Sequence, residues 1–135
     1  MNHLRVGGGS EFVLFELPAA EVCDGWYYMQ VSVAVPGFNG SVQAYLEPAD
    51  FRHFEQQLKV LHETLRGTAE LRPIEKQVVV VLAGNGRGGV EVSGELASTT
   101  SQNKLEYSFE IDQTYLATTL AQLSEFTSGS SRADA

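Results

Sequence analysis

The chain has 135 residues, of which 43% are hydrophobic and 19% charged, so it is outside the disordered and fibrous classes and can bury a core without a staple. Seventeen acidic residues against nine basic ones give a formal charge of −8, which argues against nucleic acid and anionic membrane as partners and favours a basic protein. The lone cysteine, Cys23, excludes an internal disulfide and a thiolate zinc knuckle, and no stretch approaches the ~20 apolar residues of a membrane span.

No apolar signal-peptide core opens the sequence, so the expectation is a soluble, cytoplasmic protein. A single domain, 1–135, is expected, with an ordered core over 11–126 and a flexible tail over 127–135. His3 falls in the terminal segment before that core. EFVLFEL, Glu11 to Leu17, predicts a first strand. WYYMQVSVAV, Trp26 to Val35, and SVQAYLE, Ser41 to Glu47, predict a hairpin around Pro36-Gly37-Phe38-Asn39-Gly40. A loop of that length would set valines opposite polar residues, so a bulge or an adjusted turn is expected.

The periodicity then changes. Phe51, Phe54, Leu58, Leu61 and Leu65 are separated by 3, 4, 3 and 4, one stripe of an α-helix that starts at Pro48 or Asp50 and stops at Gly67. QVVVVLA is apolar on both faces and predicts a central strand covered on both sides. Gly89 to Ala97 and Lys104 to Ile111 alternate, which predicts one buried and one wet face. Asp112 is placed to cap a second helix carrying Leu116, Leu120, Leu123 and Phe126. The fold class is therefore α+β: a largely antiparallel sheet of about six or seven strands, with one mid-chain and one C-terminal helix.

Gly84-x-Gly86-x-x-Gly89 has the spacing of a dinucleotide-binding loop. That loop works by opening a helix whose free N–H groups hold phosphate, whereas here VEVSGEL follows with a strand period. Asn85-Gly86-Arg87-Gly88 is accordingly a hairpin turn. His53 and His62 fall on opposite sides of the first helix and cannot share a metal ion. Cys23 has no visible base or oxyanion donors, so neither metal, cofactor nor catalytic set is expected, and the chain reads as a non-catalytic binding protein.

The carboxylates carry more information. Closing the last two strands symmetrically around ASTTSQNK sets Glu91 opposite Glu110, Ser93 opposite Ser108 and Glu95 opposite Glu106, with Val90, Val92, Leu96, Tyr107, Phe109 and Ile111 on the core face. Like charges facing one another cost a sheet ~0.2–1 kcal/mol per pair, so the arrangement suggests a patch that a basic partner relieves. The plainer alternative is a solvated face with lysine or arginine on neighbouring strands. Trp26 and Tyr28 share one side of their strand, and Tyr45 lies on the next, as aromatic anchors of an interface or as core. A second functional reading is a small-ligand or regulatory domain whose cavity, between sheet and helices, is lined by these aromatics.

Trp26 and its valine strand, Phe38-Asn39-Gly40, Asp50-Phe51-x-x-Phe54 with Leu58 and Leu61, Gly67-x-Ala69-x-Leu71, Gly86-Arg87-Gly88, Val92-x-Gly94-x-Leu96 and Asp112-Gln113-Thr114-Tyr115-Leu116 follow in that order. Together, over about Glu11 to Phe126, they resemble the WapI-type immunity proteins, small bacterial proteins encoded beside toxins delivered to competing cells. The resemblance implies a cytoplasmic protein that binds and blocks a cognate toxin domain, often a nuclease with a basic active site. The matched positions are turns, caps and core, so no binding residue carries over.

Overall fold

The computed structural model describes residues 2–18, 25–100 and 102–133. The strands are β1 (Asn2–Gly7), β2 (Phe12–Leu17), β3 (Tyr27–Val35), β4 (Phe38–Leu46), β5 (Arg66–Leu71), β6 (Val78–Asn85), β7 (Gly89–Ala97) and β8 (Lys104–Asp112). The helices are α1 (Pro48–Thr64), between β4 and β5, and α2 (Thr114–Ala133), at the end. The class is α+β as expected, but the strands form two antiparallel four-stranded sheets, β1-β2-β3-β4 and β5-β6-β7-β8, rather than one larger sheet. Two short elements raise the strand count from the expected six or seven to eight. β1 lies in the terminal segment that holds His3, and β5 in the stretch after α1 where AELRPI carries too few residues to show a period.

Alternation along each strand decides which side is buried. Leu4, Val6, Val13, Phe15, Val31 and Val33 of the first sheet, and Val80, Leu82, Val90 and Val92 of the second, are at most 1% exposed and join one core. Phe51 of α1 ties the layers together, its ring lying 6.3 Å from Phe15, 6.1 Å from Tyr27 and 5.2 Å from Phe126 of α2. The stripe predicted for α1 is buried at Phe51, Phe54, Leu58 and Leu61.

Local chemistry explains where the elements begin and end. Glu47 and Asp50 form a capping box, with Glu47 N–H donating to Asp50 Oδ2 at 2.8 Å. The helix stops before the expected Gly67: Leu65 adopts the left-handed conformation (φ 60°), its N–H bonds to Leu61 C=O at 2.8 Å, and Arg66 and Gly67 begin β5. Asp112 Oδ1 accepts from Thr114 N–H at 2.9 Å, the cap predicted for α2. That helix runs past Phe126 as far as Ala133.

The β3–β4 hairpin needs no bulge. Its turn is Pro36-Gly37 alone, with Gly37 at φ 84°, and Val31 faces Val42 while Gln30 faces Gln43 and Ser32 faces Ser41. Phe38, Asn39 and Gly40 belong to the strand, and their inclusion restores the pairing of like with like. Within β6, Val78, Val80 and Leu82 are core, and Val79 on the other side is still only 7% exposed.

Candidate protein-interaction site on the outer face of the second sheet

The turn that imitates a nucleotide loop joins β6 to β7. Asn85 Oδ1 accepts from Arg87 N–H at 2.7 Å and from Gly89 N–H at 3.1 Å, with Gly86 and Gly88 at φ 79° and 99°. Donors that a phosphate would need are thereby occupied by the turn itself.

Beyond this turn the two strands pair as their alternation predicts: Glu91 faces Glu110, Ser93 faces Ser108 and Glu95 faces Glu106. The phase of the ladder sharpens the consequence. Gln113 N–H to Gly88 C=O at 2.7 Å and Ser98 N–H to Asn103 C=O at 2.9 Å bracket it, so the hydrogen-bonded pairs are Val90 with Ile111 and every second pair onward. Both glutamate pairs therefore occupy the other positions, where Cα atoms approach to about 4.5 Å and side chains are closest. Glu91, Glu106 and Glu110 are exposed.

Cations reach only part of this face. Lys104 Nζ lies 3.7 Å from Glu95 Oε2, and Arg72 Nη2 lies 3.0 Å from Glu70 Oε1 on β5. Among the described residues, Glu91, Glu106 and Glu110 form no ion pair. The uncompensated charge is therefore concentrated at Glu91 and Glu110 and on the β8 side of the other pair.

Beside Glu95 and Glu106 the surface dips into an open groove of about 450 Å³, floored by Val79 and Val81 and bordered by Arg72, Lys76 and Tyr107. Gly94 lines it and makes room for a side chain to cross β7. A Cβ there would collide with the Val79 carbonyl oxygen and stand 2.6 Å from the Tyr107 hydroxyl. Without it, the Tyr107 hydroxyl donates to Val79 C=O at 2.8 Å across β7. Burial, and secondarily the Glu95 carboxylate, push the Tyr107 phenol well above its ordinary range, so it stays a neutral donor. Glycine inside a strand opposite an aromatic is the sequence signal for this arrangement, yet Tyr107 read simply as core.

The sequence model of the immunity protein WapI-like family matches residues 7–128, which include both glutamate strands and most of α2. The chain belongs to the immunity protein WapI-like family. No curated protein matches it. Within this immunity-family domain, the aromatics picked out as anchors or cavity lining lie on the first sheet. Tyr28 and Tyr45 face each other on its outer surface, ring centroids 4.7 Å apart, 39% and 40% exposed; Trp26, immediately before β3, is half-buried. Neither tyrosine is in the space between sheet and helices. His53 and His62 are exposed on α1, and Cys23 lies outside the described residues. No helix among the described residues is long and apolar enough to cross a membrane.

Proposed function

We propose that this immunity-family domain neutralises a cognate toxin domain by binding it, without catalysis, in the cytoplasm. Glu91, Glu95, Glu106 and Glu110 on the outer face of β7 and β8 meet a basic surface of the toxin. Family membership supports a toxin as the partner, and a net charge of −8 supports a basic one through electrostatic steering. The observation that carries the assignment of the surface is the register itself: glutamate opposite glutamate, twice, at the closely spaced positions of an antiparallel pair. A sheet retains such pairs at a cost of ~0.2–1 kcal/mol each, and a docking lysine or arginine offsets it.

The test uses a cognate toxin domain, sought first in the reading frames that flank this chain's own. Glu95→Lys with Glu106→Lys, in a chain shown by circular dichroism to be folded, should abolish capture of the toxin and protection of cells that express it. Undiminished capture by the doubly reversed chain would refute the surface.

A further inference from the structure

Each sheet has two edges, and three of the four are closed to strand addition. On β1, Arg5 N–H donates to Gln122 Oε1 of α2 at 2.8 Å and Arg5 C=O accepts from the Thr119 hydroxyl at 2.6 Å. On β5, Glu70 N–H donates to Gln57 Oε1 of α1 at 2.7 Å. On β8, the ladder phase turns outward the backbone of Lys104, Glu106, Ser108, Glu110 and Asp112, and charged residues along an edge deter pairing.

The edge of β4 is different. Gly8 N–H bonds to Glu11 C=O, which fixes the phase of the β1–β2 ladder and, through β2 and β3, turns outward the backbone of Asn39, Ser41, Gln43 and Tyr45. The Tyr45 N–H confirms that phase by donating sideways to Gln77 Oε1 at 3.5 Å. Among the described residues, the outward N–H and C=O groups of Asn39, Ser41 and Gln43 have no partner, because β4 pairs only with β3. The strand FNGSVQAYL contains no charge and no proline, and Phe38 at its start is 67% exposed.

We propose that this free edge is a self-association surface, on which a second copy of the chain adds its own β4 antiparallel about a two-fold axis at Ser41. Three features single out a second copy as the occupant. The free stretch ends where Gln77 blocks Tyr45, leaving residues 39–43, and Ser41 is their midpoint, so the two-fold register uses all of it. Asn39 then faces Gln43 of the second copy, polar against polar, while Gly40 faces its Val42 and leaves room for it. In a molecule of charge −8, this uncharged strip is also where two copies meet without opposing like charges, whereas β8 would bring carboxylates to the join. A five-residue join buries less than the ~1,200 Å² of a standard interface, so the dimer is weak and reversible. Added salt strengthens it by screening the repulsion between the remaining charges.

Sedimentation equilibrium of the full chain, from micromolar to near-millimolar concentration, tests this with no other component present. The mass should rise with concentration from 14.7 kDa towards twice that value, at lower concentration in higher salt. Ser41→Pro removes an outward N–H and spares the ladder to β3. Ser41→Lys with Gln43→Lys places like charges at the axis and does not depend on a proline being accommodated. Each should weaken association by at least about tenfold, with an unchanged circular dichroism spectrum. A wild-type mass that stays at 14.7 kDa throughout would overturn the proposal, whether water or a foreign strand occupies the edge; so would variants that associate as the wild type does.

Discussion

Replacing Glu110 with lysine should make the protein more stable and, if the proposed surface is the one that meets a basic toxin, weaken that binding. Glu110 faces Glu91 at a closely spaced pair, and neither carboxylate has an ion-pair partner among the described residues. The substitution removes one like-charge contact and creates one opposite-charge contact, each ~0.2–1 kcal/mol across a sheet. Because Glu110 is exposed, solvent screening keeps the sum near the low end, roughly 0.5–1 kcal/mol. For a chain of this size that corresponds to a rise in Tm of about 2–5 °C. Thermal unfolding followed by circular dichroism at low salt measures it, and the gain should shrink towards zero at ~1 M salt, where the Debye length falls to about 3 Å. Titration calorimetry with the toxin domain measures the other arm, which should move in the opposite direction. A Tm that falls or stays put at low salt would show that the two carboxylates do not oppose one another in the folded chain. A raised Tm with undiminished binding would show that the repulsion is real but that the toxin docks elsewhere.

The Gly94 site makes a second, independent prediction: Gly94→Ala should cost roughly 2–4 kcal/mol in denaturant unfolding, because the new methyl meets backbone that cannot retreat without breaking the β6–β7 ladder. Tyr107→Phe should cost about 1 kcal/mol, the net worth of the hydroxyl's hydrogen bond to Val79, and a cost near zero would remove that bond from the account. The same phenol sets a pH dependence. Its folded-state pKa is raised above the unfolded value of 10.0, so its contribution is full below about pH 10 and is lost as pH rises towards the folded value. Wild-type stability should therefore decline in that window more steeply than that of Tyr107→Phe, and equal slopes would contradict the burial. Asp112→Ala should cost about 1 kcal/mol by leaving the Thr114 N–H uncapped, while Asp112→Asn should restore most of it.

Much of this architecture is written locally. Alternation in β7 and β8 places Glu91, Glu95, Glu106 and Glu110 on one face and their valines and aromatics on the other, and symmetric closure of the turn gives the register observed. The stripe of α1 and the cap at Asp112 are equally local, because a helix announces itself through neighbours three and four residues apart. Where boundaries were displaced, a short-range rule lost to a nearby competitor. Gly67 looks like a helix stop, but Leu65 takes the left-handed turn and frees Gly67 for β5; Phe38 looks like loop until its pairing with Val35 is seen.

What the sequence determines alone is therefore element type and the facing of side chains, since both follow from periods of two and 3.6 within a single segment. The division into two sheets, the helices that seal the edges of β1 and β5, and the Lys104 contact with Glu95 come from residues far apart in the chain or from the fold's closure. So does the hydroxyl that crosses Gly94 to Val79, a contact over 28 positions. No local pattern encodes which strand will be last in its sheet. That is why the open edge of β4, unlike the glutamate face, became visible only once the strands were placed side by side.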